Sequence, residues 1–360
     1  MKYKALNAFK GFTILWIIYL HTLAHPELYG TFLERFFKRG YLGVGIFFVI
    51  SGFGISAAAE TVRSGWTSAF DFIKRRLKRI YIPYWFSLFF VGVLIPVAIG
   101  YLSFFKMMVM RESPLLKFEF YRYAFSEWIY LITLTKIFTI HSWNFIDAFY
   151  PINIVVWFIG VIVQIYLTIF LALIHKKYYH HVLFCITGIS FLTFVPRFEV
   201  YFPQGLFLPC WPEFALGLGL YELVSRGAVI KFNQKAGRIW LISVIILLLI
   251  LLMAIIQSNI PQIWFSFIFT LLLWFIYPID NQISRTKFFR FGVFLSTFSY
   301  SLLLMHVPLK RLIDLFLHNM GPISVEWADL LLAVPIIVIS SYFWARLFEK
   351  PFHKMVTNTV

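Results

Sequence analysis

Apolar residues in this chain run in blocks, and the short polar stretches between the blocks carry most of the Lys and Arg. Ten blocks can be read, at about 6–24, 41–59, 80–101, 152–174, 182–195, 206–224, 239–256, 262–278, 291–309 and 327–348. Most approach the roughly 20 residues that a helix needs to cross the hydrocarbon core of a bilayer, the fifth being the shortest. A chain in lipid must satisfy its backbone N–H and C=O groups internally, and helices do this within one segment. The pattern therefore predicts an all-α integral membrane protein, a bundle of about ten transmembrane helices forming one domain over 1–360 with no separate soluble domain. The apolar stretch from Trp128 to Ile140 is short and interrupted by Lys136, so it is expected to lie at the interface or re-enter rather than span.

Composition agrees with this class and excludes others. Of 360 residues, 61% are hydrophobic and 13% charged, against about 25% charged in a soluble domain. The net charge of +16 does not point to nucleic acid, because Lys and Arg accumulate in cytoplasmic connections and set the orientation of a membrane chain. With the N-terminus inside, 21 Lys and Arg fall on the inner side and 11 on the outer. Both termini are thus expected in the cytoplasm, with the mixed-charge stretch at about 102–151 outside. The two cysteines, Cys185 and Cys210, lie in or beside apolar runs. They make no disulfide framework, and no Cys/His spacing suggests a metal site.

Against this background the first block stands out, because it holds Lys10 and His21. Eleven residues at about 100° each bring the two onto one helix face, and the rise between them is roughly 16 Å. Ionisable groups within a span face a bundle interior or a wet cavity and mark function, while the plainer reading has Lys10 snorkelling to the headgroups and His21 at the far interface. His21 has the chemistry of a base at neutral pH. The run Lys74-Arg75-Arg76-Leu77-Lys78-Arg79 is suited to anionic membrane lipid and equally to the phosphates of a cytosolic thioester. Glu213, beside Pro212, is a candidate partner for His21. The second block carries Gly43, Gly45, Gly52 and Gly54 with Ser51 and Ser56, small residues that allow helix backbones to approach closely. Neither a glycine-rich phosphate loop nor a Gly-x-Ser-x-Gly elbow is present, which argues against an ATP-driven pump or a soluble-type esterase.

Four motifs in order give the chain a resemblance to acyltransferase family 3, integral-membrane enzymes that modify bacterial surface glycans and related acceptors. They are Lys10 and His21, where the family typically has Arg, ten residues and His; Gly43-Val-Gly-Ile-Phe-Phe-Val-Ile-Ser51-Gly52-Phe53; Arg75-Arg76-Leu-Lys-Arg79-Ile-Tyr-Ile-Pro83-Tyr84-Trp85; and Phe298-Ser299-Tyr300-Ser301-Leu-Leu-Leu-Met-His306-Val-Pro308. Weaker echoes are Trp157-Phe158 through Tyr166-Leu167 and Phe348-Glu349-Lys-Pro351. The chain departs from the family at Lys10, at Gly45 where many members have Asp, and at Ile162 and Val163 where larger members have two acidic residues. It is closer to smaller members with a Trp-Phe-Leu pattern, some of which are discussed as exporters.

The resemblance implies a multi-pass protein of the bacterial cytoplasmic (inner) membrane. It implies transfer of an acyl group, acetyl above all, from acyl-CoA to a hydroxyl of a cell-surface or lipid-linked saccharide, with no tightly bound cofactor. His21 and Glu213 are then the catalytic candidates. Lys10, Arg75, Arg76 and Arg79 bind the donor, and Ser51, Trp157, Tyr300 and His306 line the site. His21 acts either as base or as carrier of a transient acyl group. With Lys10 toward the cytoplasm and His21 toward the outside, the reaction is expected to cross the membrane. The alternative is a transporter or flippase for the saccharide, and a third reading is a non-catalytic scaffold in glycan export.

Overall fold

The computed structural model describes residues 3–22, 31–94, 100, 125–135, 153–194, 205–227, 244, 261–318 and 332–351. Every regular element among them is helical. In chain order the main helices are α1 (Lys4–Thr22), α2 (Phe32–Lys38), α3 (Leu42–Glu60), α4 (Trp66–Phe89), α5 (Phe125–Thr133), α6 (Val156–Ile174), α7 (Tyr179–Phe191), α8 (Trp211–Ser225), α9 (Gln262–Ile276), α10 (Lys287–Ser296), α11 (Ser299–His318) and α12 (Val334–Trp344). Four helical stretches in the described residues are long and apolar enough to cross a membrane by themselves, Phe32–Glu60, Trp66–Leu94, Val156–Ile174 and Gln262–Ile283, and the bent pair α10–α11 makes a fifth if it is one span. The expected span at 239–256, apart from residue 244, and most of 102–151 lie outside the described residues.

The bundle is organised around α3. Its consecutive residues Phe47, Phe48 and Val49 are each buried in a different apolar cluster. Three residues cover about 200° of a helix, so α3 is surrounded by protein, as a helix that is apolar on all sides should be. One cluster joins it to α4 and α6, a second to α8 and α9, and the third to α1, α11 and α12. Where α3 crosses α8 the backbones touch. A Cβ on Gly52 would stand 2.1 Å from the Phe214 carbonyl oxygen, and one on Gly217 1.9 Å from that of Val49. Helix pairs in lipid gain their association from such close packing. The same contact recurs between α1 and α10, where a Cβ on Gly11 would meet the Gly292 carbonyl oxygen at 2.0 Å.

Two sequence expectations are revised. The block read as 80–101 belongs to a helix that begins at Trp66, so the basic run is part of the helix and not a connection before it. The block read as 291–309 is two helices that meet at 73° around Thr297 and Phe298. The short segment expected at the interface is partly seen as α5. Three aromatic side chains of α4 hold its last turn: Tyr84 Oη donates to the Leu131 carbonyl at 2.7 Å, Tyr81 Oη to Thr133 at 2.9 Å and Trp85 Nε1 to Ile132 at 3.0 Å. The final carbonyls of a helix have no intrahelical donors, and the Tyr-Ile-Pro-Tyr-Trp motif supplies them.

Prolines inside α4 and α11 are accommodated by side chains from other helices. Pro308 has no N–H for the carbonyl of Leu304, four residues earlier. Asn153 Nδ2 donates to that oxygen at 2.6 Å and so ties the start of α6 to α11. Tyr300 Oη donates to the Ile80 carbonyl at 2.8 Å, beside the turn disturbed by Pro83. At the other end of α1, the Asp280 carboxylate accepts from the backbone N–H groups of Ala5 at 2.6 Å and Lys4 at 3.1 Å. This satisfies free donors and places negative charge at the helix N-terminus, where it is favourable.

Candidate active site

A cavity of about 350 Å³ opens among α1, α3, α4, α6 and α11. Its polar lining consists chiefly of Lys10, Ser51, Arg76, Arg79, Tyr166 and Tyr300. Helical spacing brings them there. Ser51 and Gly54 are one turn apart on α3, and Arg76 and Arg79 are one turn apart on α4, so each pair shares a face. Gly54 has nothing within 4 Å of the position of a Cβ, and the missing side chain leaves space in the cavity wall.

Three cations therefore surround one space. Arg76 lies with its guanidinium 5.5 Å from the Phe72 ring centroid, and Tyr166 lines the same cavity. Among the described residues, neither Lys10 nor Arg79 has a carboxylate within the 4 Å of an ion pair. A carboxylate whose charge bears on both Lys10 and Tyr300 is that of Glu349. Glu349 ends the π-helical turn Ala345–Glu349 that follows α12, and Ser301 Oγ donates to its Oε2 at 2.6 Å. Single π turns in α-helices often mark functional positions. Glu349 was visible in the sequence only as part of the weak Phe-Glu-Lys-Pro echo, with no role attached. The volume is at the lower end of the roughly 300–1,000 Å³ of small-molecule sites, and its charge suits an anionic group rather than a neutral sugar.

Arg75 is not part of this lining and its side chain is exposed. Trp157 is half-buried against the apolar core and does not line the cavity, whereas its neighbour Phe158 does. The other end of α1 carries His21, an exposed residue whose ring centroid is 5.3 Å from that of His306 with the planes at 45°. His306 is buried at 1% exposure, with Nδ1 2.9 Å from the Leu302 carbonyl oxygen and, among the described residues, Nε2 without a hydrogen-bond partner. An unsatisfied buried acceptor costs about 1–3 kcal/mol, so this nitrogen is an expensive feature for a purely structural residue.

Glu213 does not pair with His21. Its Oε1 accepts from Gln262 Nε2 at 3.3 Å across α8 and α9, its Oε2 has no partner, and the side chain is 4% exposed. The sequence offered Glu213 as a partner for His21, but its rotation toward α9 could be known only from the packing. A Cβ on Gly45 would meet Ser266 Oγ at 2.3 Å and Gln262 Cγ at 3.0 Å, so at this crossing α3 has room for no side chain.

A helical membrane bundle with a cation-lined cavity at one part of α1 and a histidine pair at the other defines a class, a membrane protein with an internal cavity suited to an anionic group. The family model for an acyltransferase domain matches residues 3–346, and the chain belongs to acyltransferase family 3. Comparison with curated proteins and with solved structures gives no match. Membership makes the protein a membrane-bound acyltransferase.

Proposed function

We propose that this protein transfers an acyl group, acetyl in the first instance, from cytoplasmic acyl-CoA to a hydroxyl of a cell-surface or lipid-linked saccharide. It does so in the bacterial cytoplasmic membrane as a protein of about ten spans with both termini inside. The observation that carries this reading is the convergence of Lys10, Arg76 and Arg79 on one cavity. An acyl-CoA carries several phosphate charges, and guanidinium and ammonium groups bind phosphate by charge-assisted hydrogen bonds. Lys10 and His21 stand on one continuous helix, about 16 Å apart along its axis. The pantetheine arm of the donor bridges that distance and brings the thioester toward His21, which removes the proton from the attacking hydroxyl. The carbon–sulfur bond breaks, the sulfur leaves with the electron pair, and the thiolate takes up the proton held by His21.

The test compares the surface glycans of a deletion strain, its parent and a strain carrying His21→Ala, by mass spectrometry. An acyl mass missing from both mutants, with normal amounts of the variant in the membrane, is the expected result. Loss of a catalytic base lowers rates by about 10²–10⁴. A glycan that keeps its acyl groups but is missing as a whole polymer from the surface would favour transport instead.

A further inference from the structure

The histidine pair contains a chemical direction that neither residue shows alone. A carbonyl oxygen can only accept a hydrogen bond, so His306 Nδ1, 2.9 Å from the Leu302 oxygen, must carry a proton. In a neutral ring buried at 1% exposure, Nε2 is then the lone-pair nitrogen, and among the described residues it has no hydrogen-bond partner. Asn153, which holds the Leu304 carbonyl beside Pro308, fixes this part of α11 against α6. The ring that faces His306 is that of His21, with centroids 5.3 Å apart. A ring nitrogen lies about 1.1 Å from its centroid, so an N–H···N bond of about 3 Å along the line of centres corresponds to a separation of about 5.2 Å. The observed separation thus has the length such a bond requires, and the bond forms when rotation of the His21 ring turns one of its nitrogens onto Nε2.

We infer that His306 is a positioning residue for His21: its Nε2 accepts the N–H of one His21 ring nitrogen and so fixes the other as the lone-pair nitrogen that faces the acceptor hydroxyl. This deepens the acyl-transfer reading and rests on it. Which nitrogen of a histidine carries the proton is set by the hydrogen bond made by the other. The Leu302 carbonyl polarises His306, and His306 in turn polarises His21, so the chain of bonds strengthens as His21 takes a proton from the hydroxyl. His306 stays neutral throughout, as its burial requires. No charge is moved into the apolar cluster behind it, and the proton remains on His21 until the thiolate receives it.

Two substitutions separate this role from packing. His306→Asn places an amide near Nδ1 and can keep the bond to Leu302, but it has no acceptor where Nε2 stood. His306→Gln places its amide oxygen near Nε2 and can accept from His21. The expected result is a kcat lowered about 10–100-fold in the asparagine variant, the range for residues that orient a functional histidine, with KM for acyl-CoA unchanged and most of kcat recovered in the glutamine variant. A kcat within twofold of the parent in His306→Asn, or an equal loss in both variants, overturns the inference. A second measurement uses the unmodified protein labelled with ¹⁵N at histidine. Nitrogen NMR should show His306 protonated at Nδ1 only and a single tautomer of His21, which becomes a mixture in His306→Asn. A mixed His21 tautomer in the parent also overturns the inference. Failure of the acyl-transfer reading would look different, because the parent would then form no acylated product whatever the tautomer.

Discussion

Lys10 is the residue whose chemistry the structure makes most specific. It is half-buried on α1 and lines a cavity with Arg76 and Arg79, an arrangement of like charges suited to an anion. Lys10→Ala is expected to raise KM for acyl-CoA by about tenfold, equivalent to about 1.4 kcal/mol of donor binding, while kcat changes less. Lys10→Arg keeps the charge and should retain activity. Steady-state kinetics with varied acyl-CoA check both, and an unchanged KM in the alanine variant would remove Lys10 from the donor site. Lys10, Arg76 and Arg79 were legible in the sequence because a cation in an apolar block and a dense basic run are unusual. Arg75 belongs to the same run and lies one turn from Arg79, yet it is not among the residues that line the cavity. Glu349 was not legible as a partner of α11, since a single carboxylate near an expected cytoplasmic end looks like any surface charge until Ser301 is found donating to it.

At the scale of elements, the crossing of α3 and α8 is the most demanding contact in the bundle. The carbonyl oxygens of Val49 and Phe214 stand where Cβ atoms on Gly217 and Gly52 would be, and backbone cannot rotate away as a side chain can. Gly217→Ala is expected to force the helices apart and to destabilise the protein by at least about 1–3 kcal/mol, as overpacking does. Gly219→Ala on the same helix meets nothing within 4 Å and should leave stability unchanged. Thermal unfolding of the detergent-solubilised variants distinguishes them, and equal unfolding temperatures would contradict the packing described. Small residues on the second apolar block foretold a close helix approach but not its partner. The start of α4 was misread because its charges resemble a connection, whereas Arg76 and Arg79 stand within the helix and line the cavity. The break before α11 was hidden because Thr297 and Phe298 carry no proline or glycine signal.

For the whole molecule, the helical membrane character followed directly from block length and composition, and the described helices agree with it. The orientation rests on the distribution of Lys and Arg. Reporter fusions at Lys136 and Arg197 are expected to read outside, and those at Lys177 and Lys235 inside; a cytoplasmic reading at Lys136 would contradict this arrangement. It was the relation between the two ends of α1 that sequence spacing expressed best. Lys10 and His21 share a helix face, and the structure gives each a different company: cations and a cavity for the first, a second histidine for the second.

That division of labour is tested most directly by asking on which side of the membrane each substrate reacts. Sealed inverted vesicles, cytoplasmic face outward, are given labelled acyl-CoA outside and contain a membrane-impermeant saccharide acceptor in the lumen. The account predicts label on the luminal acceptor, suppressed by His21→Ala and, at limiting donor, by Lys10→Ala. Label appearing only on acceptor added outside, with the acyl-CoA, would contradict a reaction that runs from the cation-lined cavity across α1 to His21.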